Sequence, residues 1–171
     1  MTHYILALGA DAAGTALKNT LRDRLQNDSR VTVRDFGDVG PEVDYPHVGI
    51  AVAEAIARGE VDRAVLICGT GIGMAISANK VPGVRATVAH DSYSVERSIL
   101  SNNCQVLTLG ARVIGVELAS RLVHEWLGYE FDPGSASAPK VDAISAYETC
   151  GRVVSDEAEG CLPVVPSVCA P

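Results

Sequence analysis

The sequence predicts one doubly wound α/β domain, three layers deep (Rossmann-like), around a five-stranded parallel sheet. Two observations carry this. Five short apolar or β-branched runs recur at residues 4–8, 31–36, 64–68, 85–89 and 106–109. Segments of helical period lie between them. Alternation of this kind requires right-handed crossovers, hence parallel strands with helices on both faces.

The elements follow in chain order. The run at 4–8 is apolar on both faces, as a doubly covered strand must be. Leu17, Leu21 and Leu25 then recur at i, i+4 and i+8. After the run at 31–36, Val48, Ala51, Val52, Ala55 and Ile56 give the stripe of an amphipathic helix. The run at 64–68 enters a glycine-rich loop and a further helix. Between 85–89 and 106–109 lies HDSYSVERSILSNN, with Glu96 and Arg97 expected at a surface or subunit contact. Ile114, Leu118 and Leu122 repeat the helical pattern, and Trp126 extends it. The domain is expected to span residues 1–148. Beyond Cys150 the apolar residues have neither period, and Pro163, Pro166 and Pro171 interrupt any regular element. Residues 149–171 are therefore expected to be a disordered or loosely packed extension, or an arm packing on a neighbouring subunit.

Composition narrows the function. A chain of 171 residues, 47% of them apolar, can bury a core without staples and is not wholly disordered. No apolar run approaches the roughly 20 residues of a membrane span. The opening MTHYILALGADAAG has no basic leader region, so a signal peptide is not expected. With 14 Lys+Arg against 21 Asp+Glu, the net charge is −7. That balance disfavours nucleic acid, which needs a basic face, but permits a small phosphorylated ligand on a local patch. The five cysteines are odd in number and form no Cys-x-x-Cys pair. A reduced, cytoplasmic protein without a metal site is the economical expectation.

Ligands of doubly wound sheets bind at the carboxyl ends of the strands. The loops at 9–14, 68–73, 90–93 and 110–112 should therefore share one rim. The most informative of them lies within AVLICGTGIGMAISANK, where a buried strand runs into Cys68, Gly69, Thr70, Gly71, Ile72 and Gly73. Glycines let a ligand approach the backbone, and N–H groups at a helix start face negative charge. The same field favours the thiolate of a cysteine placed there. The competing reading is a small buried cysteine at a strand end with glycines for packing. No Lys-Ser/Thr follows the glycines, and no Gly-x-Gly-x-x-Gly follows the first strand, so neither nucleotide-loop pattern is met.

CGTGIGMAISANKVPGVRA, HDSYSVERSILSNNCQVLTLGARVIG and DYPHVG together resemble the type B ribose-5-phosphate isomerases and galactose-6-phosphate isomerases. The likeness runs from Tyr4 to about Tyr147. It implies cofactor-independent interconversion of phosphorylated aldoses and ketoses through a cis-enediolate. Cys68 would be the base between C1 and C2, and Gly69, Thr70, Gly71 and Gly73 the anion hole. Asp11, Tyr45 and Asn102 fall on substrate-contact positions and Arg112 on a phosphate-binding one. The family builds its site between subunits, which implies a homodimer or homotetramer.

Departures bear on the substrate. Asp11 is followed by Ala12 where the ribose-phosphate enzymes carry histidine, and Ser101 precedes Asn102-Asn103 where they carry the ring-opening histidine. Their C-terminal arginine clamp becomes ASAPK, leaving Lys140 as a point charge without a bidentate fork. A ring-opening group is dispensable for a tetrose phosphorylated at C4, which has no hydroxyl there to close a furanose. HDSYSVERSILSNN also resembles the branch acting on erythrulose 4-phosphate. A tetrulose or tetrose 4-phosphate is thus favoured over ribose 5-phosphate or another free or phosphorylated sugar. His90, at a strand end near the pocket, is a candidate to shuttle protons or bind phosphate, or is simply bonded at a loop start. His47 is expected to be structural or interfacial, His3 and His124 on the surface, and Cys104 in the core. Two other classes compete: a phosphosugar sensor that kept the pocket, and a nucleotide-binding domain.

Overall fold

The computed structural model describes residues 2–38 and 44–150. Strands β1 (Tyr4–Ala10), β2 (Val31–Asp38), β3 (Arg63–Cys68), β4 (Ala86–Val88) and β5 (Val106–Gly110) alternate with helices α1 (Thr15–Leu25), α2 (Tyr45–Ala57), α3 (Ile72–Ala78), α4 (Ser92–Leu100) and α5 (Val116–Trp126). Helix α6 (Ala138–Cys150) follows. The sheet has five strands in the order β2-β1-β3-β5-β4. Each neighbouring pair is parallel, as the alternation predicted.

Period-two alternation along the central strands divides the core. Leu6, Leu8, Val65, Ile67, Leu107 and Leu109 face a cluster with Leu17 and Leu21 of α1, Ile99 of α4, and Leu122 and Trp126 of α5. Ala7, Ala64, Leu66 and Cys68 face the other side, with Val48 and Val52 of α2 and Met74 of α3. The Cys68 side chain therefore emerges on the α2–α3 side. Among the described residues no helix is long and apolar enough to cross a membrane.

Three expectations need correction. The buried face of α5 is Ala119, Leu122, Val123 and Trp126, while Leu118 is 40% exposed and Ile114 precedes the helix. Two leucine spacings of four fitted two adjacent faces, and packing against α1 and α4 selected the one carrying Trp126. Ala51 is exposed on α2, because Val48, Val52 and Ala55 already fill the contact with the sheet. Strand β4 covers three residues rather than 85–89, for the Arg85 main-chain N–H is taken by the Gln105 side chain instead of a neighbouring strand.

Helix α6 has no counterpart in the expected pattern. Its hydrophobic stripe is weak, and Val141 is buried between exposed Lys140 and Asp142. Residues 151–171, which include Cys161 and Cys169, lie outside the described residues, as does the Cys150 side chain.

An ion pair inside the fold was invisible in the sequence. Lys18 of α1, 1% exposed, meets the Asp35 carboxylate of β2 at 2.7 Å, and Arg22 joins it at 3.1 Å. Asp35 also accepts from the Gly37 N–H. Burial pushes this carboxyl upward, but bonds from Lys18, Gly37 and Arg22 outweigh it and hold the group below its ordinary range.

Candidate active site

The carboxyl ends of the strands converge as the topology requires. The Asp11 N–H donates to the Ile67 carbonyl, tying the end of β1 to β3. Ala111 and Arg112 donate backbone N–H groups to the carbonyls of Cys68 and Gly69, at 2.9 and 3.0 Å. Three of the four loops expected on one rim are thus stitched together around the end of β3, and His90 ties the fourth to Gly110.

Cys68 is 5% exposed, and its Sγ accepts a hydrogen bond from the Gly71 N–H at 3.1 Å. Gly71 holds φ +81, and a Cβ there would sit 3.1 Å from the Leu109 carbonyl carbon. A left-handed residue in van der Waals contact with β5 has to be glycine. Thr70 is exposed, and its Oγ1 accepts weakly from the Ile72 N–H at 3.4 Å. Gly73 opens the first turn of α3 directly against the Tyr45 ring; any side chain at position 73 would occupy the ring's place. Tyr45, 41% exposed at the start of α2, therefore caps the glycine loop from the side.

Arg112 leaves the turn after β5 and lies across Gly69. A Cβ at Gly69 would be 3.5 Å from Arg112 Cδ and 3.6 Å from Cζ. Among the described residues the guanidinium has no ion-pair partner. Asp11 folds into an Asx turn, with Oδ1 accepting from the N–H groups of Ala13 and Gly14 at 3.0 Å each. One carboxylate oxygen thus shapes the β1–α1 turn. His90 stands at the end of β4, and its Nε2 accepts from the Gly110 N–H at 2.9 Å. Burial holds this imidazole below its ordinary range, against an opposing pull from Asp91.

Cys68, Gly69, Thr70, Gly71, Gly73, Asp11, Tyr45, His90 and Arg112 therefore share the rim. Asn102 and Lys140 do not join them. The Asn102 carbonyl accepts from Arg85 at the amino end of β4, on the opposite edge of the sheet. Lys140 occupies the first turn of α6, and among the described residues no hydrogen bond or ion pair joins its side chain to the rim. His47 is exposed on α2, His3 and His124 are exposed, and Cys104 is buried, its thiol pushed up to about 11 by desolvation. The sequence reading missed the buried Lys18–Asp35 pair and the seating of the Tyr45 ring on Gly73. The signal available for the latter was a glycine inside the first turn of a helix.

The chain matches the Ribose/Galactose Isomerase family over residues 6–144. It belongs to that family. It is 59% identical to a D-erythrulose-4-phosphate isomerase 2 of Mycolicibacterium smegmatis, covering 84% of this chain and 96% of that protein. A D-erythrulose-4-phosphate isomerase of Pectobacterium atrosepticum is 50% identical, over 84% of this chain and 94% of its own length. Among solved structures, ribose-5-phosphate isomerase B of Clostridium thermocellum superposes with a TM-score of 0.79 at 44% identity, covering 84% of this chain and 97% of the other. In this isomerase family member the strand-to-helix junction at Cys68 lies within the matched region.

Proposed function

We propose that this chain interconverts D-erythrulose 4-phosphate and D-erythrose 4-phosphate, with Cys68 as the base. It is an aldose–ketose isomerase of sugar phosphates. The observation that carries the assignment of roles is the Cys68 sulfur at the mouth of the glycine loop, with the Arg112 guanidinium lying over Gly69.

The reaction needs one proton moved between adjacent carbons. The Cys68 thiolate takes a proton from C1 of the ketose, and a C1–C2 double bond forms as the C2 carbonyl becomes an oxyanion. The resulting cis-enediolate carries O1 and O2 on one side, facing the N–H groups of Gly69, Thr70 and Gly73 and the Thr70 hydroxyl, while the Gly71 N–H stays on the Cys68 sulfur. The thiol returns its proton to C2, and the O1 hydroxyl proton passes to O2, leaving the aldehyde at C1. No atom is gained or lost. Arg112 holds the phosphate through its planar fork, Tyr45 covers the sugar from α2, and Asp11 lines the β1 end of the pocket.

Two features favour the tetrose over the pentose. Ser101 stands where ribose-phosphate enzymes carry their ring-opening histidine, and the relatives that are 59% and 50% identical are erythrulose-4-phosphate isomerases. Asn102 and Lys140 complete the site from a second copy, as a homodimer or homotetramer. The distance of Asn102 from the rim within one chain supports this, as do exposed Ile50, Ile72 and Ile76 on α2 and α3 beside the loop. The cytoplasm is the compartment in which Cys68 stays a free thiol. The deciding assay presents four-, five- and six-carbon sugar phosphates beside their unphosphorylated forms. Highest kcat/KM on erythrulose 4-phosphate is expected. Preference for ribose 5-phosphate or a free sugar would overturn the substrate, and binding without solvent exchange of the C1 or C2 proton would make this a sensor.

A further inference from the structure

We propose that His90 is a positioning residue: by accepting the Gly110 N–H at Nε2 it clamps the turn at 110–113 and thereby sets Arg112 over Gly69. The inference rests on the isomerase reading and on Arg112 as its phosphate group.

The strand ladder explains why a side chain is needed. Strand β4 ends at Val88, and the Ala89 N–H makes the last main-chain bond to β5, a long one of 3.4 Å to the Thr108 carbonyl. Gly110, the final residue of β5, is left without a main-chain acceptor on that side. A buried N–H without a partner loses its hydration with nothing in return. The His90 ring fills the gap, extending the β4–β5 ladder by one side-chain rung at 2.9 Å.

From that rung the effect passes through contacts too tight to slip. Gly110 pairs in register with Cys68. A Cβ on it would lie 2.8 Å from the Thr70 backbone and 2.7 Å from Val113 Cγ2. Its carbonyl accepts from the N–H groups of Val113 and Ile114, while Ala111 and Arg112 bond the carbonyls of Cys68 and Gly69. Release of the Gly110 N–H loosens one side of this turn, and the guanidinium shifts relative to the glycine loop.

The bond also fixes the chemical state of the ring. An Nε2 that accepts is unprotonated, so the neutral Nδ1–H tautomer is the one present. Burial favours the same neutral form, and Asp91 at the start of α4 opposes it. Asp91 is thus the charged group acting on the ring, and its bonded partner on β5, Gly110, carries no titratable side chain. Protonation in acid puts an N–H against the Gly110 N–H and breaks the clamp. An acid–base role would instead require this nitrogen to be free.

The test compares His90→Ala with His90→Gln, whose Oε1 reaches the Nε2 position but does not titrate. Dissociation constants for inorganic phosphate, KM and kcat for erythrulose 4-phosphate, and the Gly110 amide NMR signal are measured across pH. His90→Ala is expected to weaken phosphate and raise KM by about tenfold or more, with kcat changed much less. His90→Gln is expected to recover most of both and to keep a flat KM in acid, where that of the unsubstituted protein climbs. A Gln variant as impaired as Ala would overturn the proposal, and so would a loss confined to kcat with phosphate affinity intact. If the Ala variant fails to fold, the Gln variant and the acid titration of the Gly110 amide decide. If the unsubstituted protein turns over no sugar phosphate, the isomerase reading fails, and the phosphate and amide measurements still judge the clamp.

Discussion

The Gly71 amide points its N–H at the Cys68 sulfur across 3.1 Å, joining the last residue of β3 to the cap residue before α3. This bond holds the sulfur at the mouth of the glycine loop. Cys68→Ala is expected to lower kcat/KM by at least about 10²–10⁴-fold while the melting temperature stays within a few degrees. Cys68→Ser is expected to fall nearly as far, because a hydroxyl is a far weaker base at neutral pH. Steady-state kinetics with thermal melts check both, and full turnover in the alanine variant would remove Cys68 from the mechanism.

Gly73 and the Tyr45 ring occupy adjoining space with no room for a methyl group. Gly73→Ala is expected to displace the ring, raise KM several-fold and cost about 1–3 kcal/mol. Adding Tyr45→Ala should return much of the lost stability without restoring KM. Urea denaturation of the single and double variants measures the coupling.

Asn102 stands on the edge of the sheet opposite Cys68. If a second copy completes the site, Cys68→Ala and Asn102→Ala chains are each impaired alone but complement on mixing. Random pairing leaves one intact site in half of the dimers, so about a quarter of full activity is expected after refolding together. A mixture no more active than its components would place the whole site within one chain.

Asp28 and Arg30 close the turn between α1 and β2, with Arg30 reaching the His124 carbonyl at the end of α5. The Arg30 guanidinium, with smaller help from its backbone N–H, holds the Asp28 carboxyl down at about 2. The folded value lies below the ordinary 3.8, so the stability this provides is fully present above that pH. It is lost as the pH falls through the window toward 2. Asp28→Asn is expected to cost about 1–2 kcal/mol at pH 7 and to remove that part of the acid sensitivity. Chemical denaturation at pH 7 and pH 3 checks the sign, since the variant should approach the unsubstituted protein at the lower pH.

The apolar runs ending at Leu8, Cys68 and Leu109, with the helical stripes between them, were enough to determine a parallel sheet and a shared rim. The physical reason is local: strand and helix periods, and the handedness of crossovers, are written in nearest neighbours along the chain. Cys68, Thr70 and the three glycines were legible for the same reason, being contiguous. Which face of α5 is buried, how Lys18 finds Asp35, and why Arg112 lies over Gly69 were settled by packing between segments far apart in sequence. His90 shows the division most clearly. The sequence placed it at a strand end beside the pocket, and the tertiary structure decided that its Nε2 serves the Gly110 N–H, because β4 stops one rung short of β5.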